Sequence, residues 1–91
     1  MPAGIGHQAD PAQRRRLRWR ARRGLLENDL ILTRFLDRFE AGMSDEDVAG
    51  LDLLLDLPDN ELLDLILGRT PASGDLANDP VVTVLRKLQE V

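Results

Sequence analysis

Apolar residues in this chain recur at helical intervals in short blocks, and glycine or proline closes almost every block. Leu25, Leu32, Phe35, Leu36 and Phe39 fall at spacings of 3, 4 and 7, which puts them on one side of a helix. No stretch alternates polar and apolar residues long enough to make a half-buried strand. Val81-Val82-Thr83-Val84 is β-prone, but Pro80 before it and Leu85 and Leu88 after it favour a helix. The pattern predicts an all-α fold, a compact bundle of about five short helices. At 91 residues the chain has room for one domain with a thin core, since a chain of this size buries only about 60% of its unfolded surface.

The predicted organisation is a flexible tail over residues 1–10 and a single helical domain over residues 11–91. Pro2, Gly4 and Gly6 break any period near the N-terminus. Asp10-Pro11 reads as a cap and first turn, opening a helix to about Arg22 that carries Leu17 and Ala21. A second helix runs from about Leu25 to Ala41, with Gly42 at its end. Ser44 caps a third, whose first turn holds Asp45, Glu46 and Asp47, where the helix dipole favours negative charge. It turns Val48, Leu51, Leu54 and Leu55 inward and stops before Pro58. Asp59 opens a fourth with Leu62, Leu63, Ile66 and Leu67 as its apolar set and Gly68 as its C-cap. A loop over residues 69–79 leads, through an Asn78-Asp79 cap and Pro80, to a fifth helix with Val81, Val84, Leu85 and Leu88 facing the core.

The net charge of −4 conceals a split. Residues 1–23 hold seven arginines against Asp10, a net +6, whereas residues 24–91 carry a net −10. A basic arm and an acidic body invite contact with each other. The arm could instead neutralise phosphates, which makes a small nucleic-acid-binding protein the rival reading. The acidic remainder would repel nucleic acid. No apolar run approaches the roughly 20 residues a bilayer needs, and no apolar segment follows the arginines as in a secretory signal. A cytoplasmic protein is expected.

Several chemistries lack their residues. There is no cysteine and one histidine, His7, so a zinc site has no ligand set and His7 has no base-orienting partner. The clustered acids lack the spacing of a calcium loop, and no glycine-rich phosphate loop occurs. No catalytic residue and no metal site are predicted.

One stretch concentrates chemistry: Arg22-Arg23-Gly24-Leu25-Leu26-Glu27-Asn28-Asp29. Glu27 could complete half a capping box if Gly24 is the N-cap of the second helix, or pair with Arg23 across a turn for about 0.2–0.5 kcal/mol. Alternatively, this corner of mixed charge is a docking surface, with Gly24 admitting a partner's backbone. Trp19 either packs beneath the second helix or anchors an interface.

The stretch from Trp19 to Phe39 resembles the FAD assembly factors of succinate dehydrogenase, called SdhE in bacteria and succinate dehydrogenase assembly factor 2 in mitochondria. Arg23, Gly24 and Glu27 match the family's Arg-Gly-x-x-Glu motif. Arg22, Trp19 and the LENDL run with Asn28 and Asp29 fit its wider pattern. Ser44–Leu57 and Pro58–Gly68 look like the family's acidic turn, Leu-rich helix and following D-x-(D/N)-x-(L/W) stretch. The resemblance covers roughly residues 14–90, with residues 1–13 a longer extension than in the shortest members. It implies a five-helix domain with no catalytic activity of its own; a monomer is expected. Such a domain binds the flavoprotein subunit of succinate dehydrogenase, or in some bacteria of fumarate reductase, and promotes covalent FAD attachment there. The FAD and the histidine that receives it belong to the client, so the helper holds no tightly bound cofactor. The resemblance also implies that Arg23, Gly24 and Glu27 contact the client, with Arg22, Asp29 and Trp19 beside them.

Overall fold

A computed structural model of the chain describes residues 10–91. Residues 1–9 of the expected tail, His7 among them, lie outside the described residues, whereas Asp10 caps the first helix. Those described form five α-helices and no strand: α1 (Pro11–Arg20), α2 (Leu26–Phe39), α3 (Asp45–Leu55), α4 (Asp59–Ile66) and α5 (Asp79–Glu90). None is long and apolar enough to cross a membrane.

The helix starts follow local chemistry. The Asp10 carboxylate accepts the Ala12 N–H at 2.9 Å, with Pro11 in the first turn. Ser44 and Asp47 cap α3 reciprocally: each side chain accepts the other residue's backbone N–H at 3.1 Å. Asn78 caps α5 by accepting the Val81 N–H at 3.0 Å. At the end of α4, Gly68 adopts φ +75°. Its N–H reaches the Leu65 carbonyl and the Arg69 N–H reaches that of Asp64, the paired bonds of a left-handed helix stop.

Buried side chains from every helix meet in one core: Leu17, Leu32, Phe35, Leu36, Val48, Leu51, Leu54, Leu55, Leu62, Leu65, Ile66, Val81, Val84, Leu85 and Leu88. Helix α3 and the start of α5 approach each other closely. A Cβ on Gly50 would lie 2.7 Å from the Pro80 carbonyl carbon, so only glycine admits this contact.

The structure departs from the expected pattern in four places. First, α1 ends at Arg20 rather than Arg22, with Ala21 as C-cap, and residues 22–25 form a non-helical link. Second, α2 gives way after Phe39 to a 3-10 turn, Glu40–Gly42, in which Gly42 has no left-handed φ. Third, Leu65 joins the core, whereas Leu63 and Leu67, expected there, do not. Leu67 follows the last helical residue, and the turn into Gly68 leaves it 52% exposed. Fourth, the buried face of α2 includes a polar residue, Asn28, with no exposed surface.

Candidate functional site

The link between α1 and α2 lies against the joint between α3 and α4, and a polar cluster fastens the two. Arg23 supplies the fastening. Its Nε donates to Asp59 Oδ1 at 2.7 Å and its Nη1 to the Leu55 carbonyl at 2.8 Å. Its Nη2 donates to the Leu57 carbonyl. The last carbonyls of a helix have no intrahelical donor, and a forked guanidinium can meet two carbonyls and a carboxylate at once. The Arg23 side chain is therefore only 12% exposed.

Asp59, the first residue of α4, gathers the other donors. Its Oδ2 accepts the Leu25 N–H at 3.2 Å, and Asn28 Nδ2 donates to its backbone carbonyl at 2.8 Å and to Oδ1 at 3.3 Å. The Arg23 guanidinium, helped by these donors, holds the Asp59 carboxyl below the usual carboxylate range. Asp29 completes the brace: its Oδ1 accepts the Arg23 N–H at 3.0 Å and pairs with Arg22 Nε at 3.5 Å.

Against this braced interior the outer residues stand free. Gly24 is exposed, and the Cβ it lacks would meet nothing closer than Asp59 Oδ2 at 3.7 Å, an ordinary contact. No contact among the described residues requires glycine there. Glu27 is exposed and makes no hydrogen bond or ion pair with any described residue. Trp19 is 77% exposed, so it does not pack beneath α2. An open groove of about 550 Å³ between α1 and α2 is lined by Arg18, Trp19, Arg22, Asp29 and Thr33, among others.

The six residues singled out from the sequence therefore divide. Gly24, Glu27, Arg22 and Trp19 lie at the surface, whereas Arg23 and Asp29 turn toward the link and build it. Neither local reading of Glu27 is realised. Leu25, not Gly24, is the N-cap of α2 and has no side-chain cap, and Arg23 pairs with Asp59 rather than Glu27. Asp59 and Asn28 are members of the cluster that the motif alone does not reveal. Leu26 and Leu30, one turn apart on α2 and 63% and 46% exposed, add apolar surface beside Glu27. Their phase, off the Leu32–Phe35–Leu36 face, was the available signal.

The basic arm is largely met from within. Arg18 pairs with Glu40 at 2.8 Å and Asp37 at 2.9 Å, and the Glu40 hydrogen bond raises its already high pKa. Arg20 spans Asp52 and Asp56, both at 3.0 Å. With Arg22 and Arg23 also paired, much of the charge that a phosphate backbone would use is neutralised by this chain's own carboxylates. Among the described residues, no group of His, Cys, Asp or Glu is arranged to hold a metal ion.

Comparison with known proteins identifies the family. The sequence profile of a family described as "Flavinator of succinate dehydrogenase" matches residues 15–89. The chain is 54% identical to the FAD assembly factor SdhE of Ralstonia nicotianae over 87 residues, covering 96% of this chain and 92% of that protein. It is 32% identical to the FAD assembly factor SdhE of Coxiella burnetii over 83 residues, covering 90% and 95%. A shorter match, 48% over 48 residues, is to the mitochondrial succinate dehydrogenase assembly factor 2 of Debaryomyces hansenii, covering 52% of this chain and 34% of that protein. No solved structure matches the chain. The family profile and these matches, which run along nearly the whole sequence, show that this chain belongs to the family of succinate dehydrogenase flavinators.

Proposed function

We propose that this chain is an assembly factor that binds the flavoprotein subunit of succinate dehydrogenase, with the related subunit of fumarate reductase as a further client, and promotes covalent attachment of FAD to it. It does so as a cytoplasmic monomer, without catalysing the bond itself and without holding a cofactor tightly. The carrying observation is an exposed Glu27 whose side chain has no partner among the described residues, beside an exposed Gly24 whose lack of a side chain no contact among them demands. A carboxylate and a bare stretch of backbone on a braced corner suit close approach by another chain. Arg22 and Trp19 extend the contact surface, and Trp is a frequent interface anchor. Arg23 and Asp29 act from within, by giving the corner its shape.

The reacting groups belong to the client. The helper contributes orientation, holding the client in an arrangement where its own histidine and flavin meet; such pre-ordering lowers a barrier without adding a catalytic group. Deletion of the gene in its native host, followed by in-gel flavin fluorescence of the dehydrogenase subunit, should show loss of covalent flavin. Gly24→Arg and Glu27→Ala should each fail to restore it. Full rescue by both variants would remove the corner from the mechanism.

A further inference from the structure

A carboxylate outside the motif stands at the centre of the corner. Asp59 is 36 residues from Arg23 and 31 from Asn28 in sequence, yet it binds the side chains of both and the backbone N–H of Leu25, the residue that caps α2. The backbone on either side of Gly24 is thus tied to one group: Arg23 through its guanidinium, Leu25 through its amide. Asn28 adds a second observation. It has no exposed surface, its amide nitrogen goes entirely to Asp59, and its Oδ1 finds no hydrogen-bond partner among the described residues. Burying an acceptor unsatisfied is costly, and a hydrocarbon side chain there would avoid the cost. What the amide provides in return is a directional tie to the first residue of α4.

We propose that Asp59 is the positioning residue of the docking corner: by bridging Arg23, Leu25 and Asn28 it fixes how Gly24 and Glu27 are presented to the flavoprotein subunit. The proposal rests on the docking reading above for its consequence, but its structural core concerns the free protein. Without the bridge the link between α1 and α2 loses its anchor, and Glu27 samples directions in which it no longer meets its partner. Affinity then falls because the bound shape has to be ordered at the moment of binding.

The test has two arms. In the free protein, amide NMR and hydrogen exchange compare wild type with Asp59→Asn. Signals of Gly24, Leu25 and Glu27 should shift and exchange faster, while those of Val84 and Leu88 in α5 stay unchanged. In the second arm, titration with the purified flavoprotein subunit should show Asp59→Asn binding about tenfold more weakly, the scale of one lost charge-assisted hydrogen bond. Asp59→Asn should add little to the loss already caused by Glu27→Ala, because both act through one contact. Asp59→Glu keeps the charge at the start of α4 but displaces the carboxylate by one methylene. It should fold as wild type and recover only part of the affinity; it also stands in for Asp59→Asn should that variant fold poorly. Unchanged corner signals in both variants, or losses that simply add to that of Glu27→Ala, would overturn the proposal. Absence of binding by the wild-type chain would instead refute the docking reading, and the NMR arm would still decide whether Asp59 sets the corner.

Discussion

Helices α1 and α5 begin alike and are held differently. Each starts with a side-chain cap and a proline in its first turn. α5 then buries Val81, Val84, Leu85 and Leu88 and lies so close to α3 that Gly50 is required at the contact. Within α1, only Leu17 is buried. What docks α1 is mainly charge: Arg18 to Asp37 and Glu40, Arg20 to Asp52 and Asp56. One end of the domain is therefore secured by apolar burial, which is insensitive to salt, and the other by partly exposed ion pairs, which salt weakens. The proposed docking corner sits where α1 joins the body, and the Arg23 cluster is what keeps this less firmly packed region ordered.

The largest effects should come from the apolar end. Leu88→Ala removes a side chain that is 1% exposed and should cost about 2–5 kcal/mol in chemical denaturation, as core truncations do. Gly50→Ala should cost about 1–3 kcal/mol, because its methyl meets backbone rather than a yielding side chain. A smaller change in either would mean that α5 is less tightly seated than its burial indicates. Arg23→Ala leaves the Leu55 carbonyl at the end of α3 and the Leu57 carbonyl in the joint with α4 without this donor and should cost about 1.5–3 kcal/mol. Arg23→Lys should not restore it, since an ammonium lacks the fork.

Salt sharpens the comparison with a smaller effect. Raising NaCl to about 1 M shortens the screening length to about 3 Å. Amide exchange at Leu17 and Trp19 should accelerate while Val84 and Leu88 stay protected. Equal responses at both ends would contradict the division. Acid probes the corner alone. Because Arg23 lowers the Asp59 pKa in the folded state, the stabilisation from this carboxylate is fully present above the unfolded value, near pH 4. It is lost as pH falls through the lowered folded value. The Leu25 amide should thus stay protected below the pH at which exposed carboxylates titrate and open only in stronger acid.

The five helices and most of the core were legible in the sequence because their causes are local. Caps at Asp10, Ser44 and Asn78, stops at Pro58 and Gly68, and three-and-four spacing act within a turn or two. Leu67 was misplaced against Leu65 because the last turn of a short helix decides which of two leucines points inward. The motif residues could be identified, but the division of labour among them could not. Arg23 and Asp59 meet only because α2, α3 and α4 pack as they do, and spacing within residues 22–29 offered Glu27 as the nearer partner. Asn28 stands in the sequence as a member of the LENDL run, and its burial, which depends on Asp59, does not show there.

The central claim is that the exposed corner docks the flavoprotein subunit, and Gly24→Arg tests it most directly. Gly24 has an ordinary φ, and a Cβ there would make only an ordinary contact, 3.7 Å from Asp59 Oδ2, so the variant should keep the thermal midpoint of the wild type. Titrated against the purified flavoprotein subunit, it should bind at least about a hundredfold more weakly, as expected for a bulky cation forced into the centre of an interface. Wild-type affinity in a folded Gly24→Arg protein would show that the partner docks elsewhere.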